Sequence, residues 1–202
     1  MASMRDLETW LDDMCTRPLP GGVAAAAVAA AMGAALIAKA LRITLRRQQL
    51  ATADRATLTE VLDLALIQQA ALSGLADADI QAYQDFMNTR SLAAGDPRQS
   101  QARQTAIEVP VAVAEACCVL LGRIPGMLVH CWHGVCVDFE IGGQLLQAGM
   151  RAGILAAQAN LGAWRDSALA GQFWARLDVL LETVRERGGD SDDERLSGCD
   201  CL

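Results

Sequence analysis

The chain has 202 residues, of which 52% are hydrophobic and only 4% aromatic, and its formal net charge at pH 7 is −7. The length fits one domain with a sizeable core, whose apolar volume comes from Ala, Leu, Val and Ile rather than from rings. The acidic balance argues against nucleic-acid binding, because a phosphate backbone is normally met by a basic face.

The N-terminal residues and the cysteines both favour a cytoplasmic protein. Asp6 and Glu8 are acidic where a signal peptide has basic residues followed by an apolar stretch. The seven cysteines are an odd number in a mid-sized chain, and adjacent Cys117 and Cys118 have the pattern of buried helix residues rather than of a disulfide framework. We therefore expect reduced thiols.

The first predicted helix ends at a turn rich in helix-breaking residues, 17–22, and apolar side chains recur at helical spacing before it, at Leu7, Trp10, Leu11 and Met14. From Val23 to about Leu45 an Ala-rich helix follows. It is apolar on every face, which predicts a central helix surrounded by protein. Its most apolar part approaches membrane-span length, but the weakly hydrophobic Ala residues and Lys39 favour burial and predict no membrane contact.

The middle of the chain predicts two further long helical stretches. Residues 53–76 form an amphipathic run that we expect to return antiparallel to the Ala-rich helix, and the helical period continues to about Arg90. Asp96 is a predicted N-cap, and the proline after it opens a helix to about Leu121 that contains Pro110 as a predicted kink.

The last predicted helices span 144–164 and 171–187, and Gly149 and Gly153 permit close helix contact in the first of them. Strand-type alternation is lacking, so the sequence predicts an all-α, single-domain bundle of about six to seven helices over residues 1–187. An acidic, flexible tail is predicted over 188–202. The abundance of small side chains on the helices also favours dimerisation through helix faces.

Three segments carry polar groups suited to chemistry. The turn that ends at Pro20, Gly21 and Gly22 places bare amides before a helix N-terminus, which suits an anionic or carbonyl-rich ligand, although a plain turn also explains it. Asp77 and Asp79 are two residues apart on a helix and point in different directions, so they do not form a catalytic carboxylate pair by themselves; helix capping is the alternative.

Asp138 and Glu140 precede a Gly-Gly pair, which again brings a carboxylate to a glycine-containing turn. The alternative is that one of them is the N-cap of the next helix. The segment His130-Cys-Trp-His133-Gly-Val-Cys136 contains both histidines, which suggests a metal. The paired C-x-x-C elements of structural zinc sites are absent from it, however, so we predict no metal site.

Taken together, these segments resemble the cyclodeaminase domain family, which includes formiminotetrahydrofolate cyclodeaminase and a stand-alone methenyltetrahydrofolate cyclohydrolase. The resemblance spans about residues 4–185. It is carried by Pro20-Gly-Gly22 with the Ala-rich helix, Asp77-x-Asp-x-x-Ala-Tyr83, Ala106-x-x-Val-Pro-x-x-Val-Ala-Glu115, Asp138-x-x-x-Gly142 and Ala159-Asn-Leu161.

The resemblance implies an all-helical homodimer that binds a polyglutamylated one-carbon tetrahydrofolate near the Gly-rich turn and needs no metal or further cofactor. It implies hydrolysis of 5,10-methenyltetrahydrofolate to 10-formyltetrahydrofolate, with a carboxylate taking a proton from water. Asp79 is the first candidate for that carboxylate and Asp138 the second. The predicted substrate-binding residues are Pro20, Gly21, Gly22, Tyr83, Arg46, Arg47, Arg90 and Asn160, the arginines meeting glutamate carboxylates.

Two alternatives to the cyclohydrolase stay open. One is formiminotetrahydrofolate cyclodeaminase, in which ammonia departs and a general acid is needed. The other is a diverged homologue that acts as a helical binding module. Val23 and Ala24 stand where the family has Gly and Ser, Glu140 replaces a small residue, and a Leu-Pro-Lys motif is missing at 92–94.

Overall fold

The computed structural model describes residues 4–47, 49–93, 95–162 and 168–189, and within these ranges the chain forms six α-helices and no strand. This confirms the all-α prediction. The predicted tail lies outside the described residues from 190 onward. The helices are α1 (Met4–Thr16), α2 (Gly22–Arg47), α3 (Thr52–Thr89), α4 (Pro97–Leu121), α5 (Cys136–Gly162) and α6 (Ala168–Gly189).

Helices α2 to α5 form a four-helix arrangement. The Ala-rich α2 packs along α3 and α5, and α4 packs along the same two helices from the opposite side. Helix α6 lies against α4 and α5. One face of α2 remains outward, with Met32 50% exposed and Lys39 also exposed. The predicted burial of α2 is confirmed for the side that packs in the bundle, and its outer side is exposed in the single chain, because in a four-helix arrangement each helix keeps an outer side.

Glycines set the spacing between α2 and α5. A Cβ added to Gly33 would lie 2.6 Å from the carbonyl oxygen of Gly142, and a Cβ added to Gly142 would lie 2.7 Å from that of Gly33. Gly149 likewise meets Ala30, and Gly153 meets the Pro110 carbonyl of α4. The predicted close contact at Gly149 and Gly153 is thus confirmed, and the helices approach until backbone meets backbone.

The start of α5 differs from the sequence prediction. The helix begins at Cys136 rather than at residue 144, so Asp138 and Glu140 lie inside it and are not N-caps. Gly142 and Gly143 do not break this helix because both are buried in the bundle, where a side chain at Gly142 would collide with α2. The predicted N-cap Asp96 is confirmed, since its side chain accepts a hydrogen bond from the Arg98 amide and proline follows it.

An arginine clamps α6 onto α4. Arg176 donates four hydrogen bonds of 2.8–2.9 Å, two to Glu108 and two to Glu115, and its guanidinium lies over the Phe173 ring. The two carboxylates raise the pKa of Arg176 further above its usual value. Charge-assisted bonds of this forked kind fix orientation as well as position, so they determine how α6 covers the bundle.

Two helices pass a length and composition test for crossing a membrane. These are α2 and α4. In each of them, half of the most apolar 18-residue stretch is buried inside the bundle. Their apolar character serves the core here, because Ile37, Leu41, Ile107 and Leu120 are fully buried against other helices.

Gly33→Ala is expected to destabilise the fold by about 1–3 kcal/mol, because the added methyl group collides with the backbone of α5. Gly74→Ala in α3 is the matched control. Nothing lies within 4 Å of its new Cβ, so it is expected to gain about 0.5–1 kcal/mol from helix propensity. Urea unfolding of both variants measures the difference. Equal effects on stability would contradict the close α2–α5 contact.

Candidate active site

Asp79 joins α3 to the start of α2. Its Oδ2 accepts a hydrogen bond of 3.1 Å from the backbone N–H of Ala24, in the first turn of α2. A Cβ on Gly21 would lie 3.9 Å from the same oxygen, so the glycine leaves the space beside the carboxylate open. The alternative that Asp79 caps its own helix is wrong, because α3 runs unbroken from Thr52 to Thr89. Asp79 instead caps a neighbouring helix.

The N-terminus of α2 retains free donors beside this carboxylate. Gly21 precedes the helix and accepts from the Ala25 amide, but it has no side chain with which to cap the first turn. Asp79 therefore supplies the acceptor that a Ser or Asp at that position normally provides. Within the described part of the chain, no acceptor is found for the amides of Gly22 and Val23. One carboxylate and two N–H groups thus lie together at the N-terminus of α2.

Burial makes Asp79 a stronger base than an ordinary aspartate. Desolvation raises its pKa above the usual value, and the hydrogen bond from Ala24 opposes part of that rise. A higher pKa strengthens the proton affinity of the ionised form, which suits a group that must take a proton from water.

The face of α3 that bears Asp79 continues beyond the start of α2. Tyr83, Met87 and Arg90 follow Asp79 at helical spacing, and Tyr83 and Met87 are 40% and 39% exposed. Arg90 lies about 16 Å along the helix axis from Asp79, at 1.5 Å per residue. The structure therefore brings Gly21, Gly22 and Tyr83 to Asp79, with Arg90 further along the same face.

The second predicted catalytic carboxylate lies elsewhere in the protomer. Asp138 pairs with Lys39 at 2.7 Å, bridging α5 to α2. Lys39 is fifteen residues after Ala24, which is about 22 Å along α2. Asp138 therefore does not share a site with Asp79 in one protomer. Sequence patterns do not predict this pairing, because the two partners are 99 residues apart.

Arg46 and Arg47 lie at the opposite end of α2 from the Gly-rich turn. They are about 33 Å from Ala24 along the helix axis. The guanidinium of Arg47 lies 5.2 Å from the centre of the Trp132 ring, which is a cation–π contact. Within one protomer, neither arginine reaches a ligand bound at Asp79.

Pro20 and Asn160 have structural contacts at the Asp79 end of the bundle. Pro20 is buried directly before the Gly-Gly pair. The Asn160 side chain donates a 2.7 Å hydrogen bond to the carbonyl of Ala106, which ties α5 to α4. That bond uses one of the two N–H donors of the side-chain amide, so the second N–H and the side-chain oxygen of Asn160 remain for a ligand.

The histidine and cysteine segment builds a cap on the far end of the bundle. Thr44 of α2 accepts a hydrogen bond of 3.0 Å from the Trp132 amide, and Cys131 and Cys136 are buried beside it. His130 lies 3.8 Å from Asp54. Among the residues that the structure describes, no three His, Cys, Asp or Glu side chains are grouped so as to hold a metal ion.

Comparison with known protein families supports the resemblance that the sequence suggests. The model described as formiminotransferase-cyclodeaminase matches residues 7–178. The matched range includes Asp79 and the Gly-rich turn, together with helices α2 to α5.

Curated proteins and solved structures with similarity to the chain include the following three. The methenyltetrahydrofolate cyclohydrolase of Methylorubrum extorquens is 27% identical over 190 residues, covering 90% of this chain and 91% of that protein. The formimidoyltransferase-cyclodeaminase of Sus scrofa is 26% identical, and the match covers 90% of this chain but only 35% of that protein. The crystal structure of formiminotetrahydrofolate cyclodeaminase from Thermotoga maritima has a TM-score of 0.81 at 18% identity, covering 91% and 90% of the two chains. The last similarity confirms the fold.

Asp79→Asn is expected to leave the melting temperature at pH 7 equal to or above that of the wild type. The folded-state pKa of Asp79 is raised, so the native state holds this proton more tightly than the unfolded chain does. Its contribution to stability therefore falls as pH rises from the ordinary aspartate pKa through the raised one. Asparagine keeps an acceptor oxygen for Ala24 without the buried charge.

Thermal melts of wild type, Asp79→Asn and the exposed control Asp63→Asn measure this effect. The control is expected to melt as the wild type does. A fall of more than about 3 °C for Asp79→Asn, equivalent to roughly 1 kcal/mol in a chain of this size, would show that the charge itself stabilises the fold.

Proposed function

The chain belongs to the formiminotransferase-cyclodeaminase family, and on that premise we propose that it hydrolyses 5,10-methenyltetrahydrofolate to 10-formyltetrahydrofolate. The name of the Methylorubrum extorquens relative, whose length matches that of this chain, supports a cyclohydrolase. The observation that carries the proposal is the half-buried Asp79 carboxylate of raised pKa, beside two free amides of a helix N-terminus.

The proposed reaction needs one base. Water attacks the amidinium carbon that bridges N5 and N10 of the substrate, and Asp79 takes a proton from that water as the new C–O bond forms. The bond between the bridge carbon and N5 then breaks, N5 receives a proton, and the carbon stays on N10 as a formyl group. The cationic substrate and one water thus yield neutral product and one proton released to solvent.

The amides of Gly22 and Val23 have a defined part in this step. They point out of the helix N-terminus, where the backbone dipole favours negative charge. In the proposed step they donate hydrogen bonds to the oxygen of the attacking water as it loses its proton. Preorganised donors of this kind contribute to the rate because they need no reorientation during the reaction.

The extended face of α3 suits the rest of the substrate. The aminobenzoyl ring would lie along Tyr83 and Met87, and a glutamate carboxylate would meet Arg90 through charge-assisted hydrogen bonds. This assignment replaces Arg46 and Arg47 as the carboxylate contacts, since those residues lie at the other end of α2.

Formiminotetrahydrofolate cyclodeaminase is the second candidate function. It is supported by the name of the Sus scrofa relative. Loss of ammonia needs a proton donor, and the raised pKa of Asp79 increases the fraction of its acid form. The chain spans about a third of the Sus scrofa protein, so that protein's full activity is not transferred to this chain.

Absorbance decay of 5,10-methenyltetrahydrofolate, corrected for spontaneous hydrolysis, tests the cyclohydrolase. Wild type and Asp63→Asn are expected to catalyse the decay equally, and Asp79→Asn to lose about 10²–10⁴-fold in kcat, the typical contribution of a general base. The rate should fall as pH drops through the raised pKa of Asp79.

Ammonia release from 5-formiminotetrahydrofolate, measured in parallel, separates the two reactions. Ammonia release without methenyl hydrolysis would establish the cyclodeaminase. Absence of both activities in the wild type would contradict the proposal and favour the diverged binding module.

We also propose that the chain forms a homodimer through α5. This helix has an exposed apolar stripe in which Val137, Ile141 and Leu155 are 54%, 43% and 70% exposed. These three residues are four and fourteen positions apart, which places them within about 40° of one another around the helix at 100° per residue. They therefore form one apolar side of α5 that is available to pack against another helix.

Sedimentation equilibrium is expected to give twice the chain mass of 21.4 kDa for the wild type and the single-chain mass for Ile141→Glu. The reason is that a buried, unpaired carboxylate opposes association. Ile67→Glu, on an exposed position of α3, is the control and should remain dimeric. A wild type that sediments only as the single chain would contradict the dimer.

A further inference from the structure

A cleft of about 290 Å³ lies between α1, α2 and α3. Asp79 does not line it, but three of the lining residues, Ala76, Asp77 and Ile80, are within three residues of Asp79 on α3. Its size is near the lower end of the range of small-molecule sites, about 300–1,000 Å³. Its lining has an apolar wall and a polar edge on different helices, contributed by Trp10, Val28, Ala31, Met32, Ala35, Gln69, Ser73, Ala76, Asp77 and Ile80.

The apolar wall of the cleft comes from α2 and α1. The four α2 residues are aliphatic side chains or Met32, and Trp10 of α1 is half-buried against the core. A surface of this kind is suited to the flat face of a ring, because it offers dispersion contacts and an indole with which to stack.

The polar edge of the cleft is a single row on α3. Gln69, Ser73 and Asp77 follow one another at four-residue intervals, so they lie on one side of the helix. The Gln69 amide donates to the Ser73 hydroxyl at 3.2 Å, which orients both groups. Asp77 is exposed at the end of the row, and no hydrogen-bond partner is found for its carboxylate among the described side chains.

The cleft occupies the sector between the two aspartates. Asp77 and Asp79 point about 160° apart around α3, at 100° per residue, and Ala76, Ile80 and Ser73 fall between them on that side. A planar ligand in the cleft therefore meets Asp77 at one edge, and its opposite edge points toward the side of α3 that bears Asp79. The two carboxylates do not act as a pair on one atom, but they can act on opposite ends of one ring system.

We propose that this cleft binds the pterin ring of the folate substrate, with Asp77 as the residue that recognises it. This inference rests on the proposed function of the site. The 2-amino-4-oxo edge of a pterin carries two neighbouring N–H donors, on N3 and on the 2-amino group, which match the two oxygens of one carboxylate. The bridge carbon is on the opposite side of the ring system, and this orientation directs it toward Asp79.

In this proposal Asp77 determines which ring is bound, and Asp79 takes the proton during hydrolysis. A carboxylate that pairs with two ring N–H groups rejects rings that lack them, because the acid is then left desolvated and unpaired. Loss of Asp77 should weaken ground-state and transition-state binding alike, so KM for 5,10-methenyltetrahydrofolate should rise with little change in kcat.

Calorimetric titration with tetrahydrofolate and with its 2-desamino-2-methyl analogue tests the pairing. For tetrahydrofolate, Asp77→Asn is expected to raise Kd about 10- to 100-fold, the usual range for hydrogen bonds to a charged group. For the analogue, which lacks the 2-amino donor, the Kd values of the wild type and of Asp77→Asn should differ far less. Asp63→Asn, an exposed carboxylate of the same helix outside the cleft, is the control and should bind both ligands as the wild type does.

The outcomes separate this inference from the cyclohydrolase proposal. If Asp79→Asn loses hydrolysis while Asp77→Asn keeps the wild-type Kd and KM, the pterin assignment is overturned and the proposed function stands. An equal rise in Kd for both ligands in Asp77→Asn would also overturn the proposed pairing of Asp77 with the 2-amino group. If the wild type neither binds tetrahydrofolate nor hydrolyses the methenyl substrate, both proposals fail.

Discussion

Helix α2 approaches its neighbours closely because it is built almost entirely of Ala and Gly along its buried side. Gly33 and Gly142 meet backbone to backbone, and buried Ala residues cover the rest of the contact. The same close approach on the α3 side allows a short aspartate side chain to reach a backbone amide of α2. With larger side chains on α2, Asp79 would be too far from Ala24 to bond its N–H, and the candidate site would not form.

The environment of Asp79 combines a cost in stability with a use in chemistry. Burial disfavours its ionised form, whereas the Ala24 amide and the positive end of α2 favour it. Asp77, two residues earlier, is exposed and faces a different direction. One turn of α3 thus carries two carboxylates with different properties, which follows from helical geometry and from the position at which α2 begins. Proteins commonly retain a destabilising group of this kind where it serves a reaction.

The sequence was sufficient for the helices and for local signals. The Asp96 cap, the close contact at Gly149 and Gly153, and the all-α fold follow from periodicity and residue type within a short window. The start of α5 was missed because Gly142 looks like a helix breaker until its contact with α2 is known. Asp138 was grouped with Asp79 because both belong to family motifs, but only the register of α5 on α2 shows that Asp138 pairs with Lys39. Trp10, Gln69 and Ser73 carry no recognisable motif, and only packing brings them into one cleft.

The most direct test of the site is a crystal structure of the Asp79→Asn variant with 5,10-methenyltetrahydrofolate bound, because this variant should bind the substrate without hydrolysing it. The expected complex has the pterin ring between α2 and Trp10, its 2-amino-4-oxo edge at Asp77, and the bridge carbon next to residue 79 and the Gly22 amide. A substrate bound instead beside Lys39 and Asp138, or at the far cap around Trp132, would contradict the assignment of the active site to the N-terminus of α2.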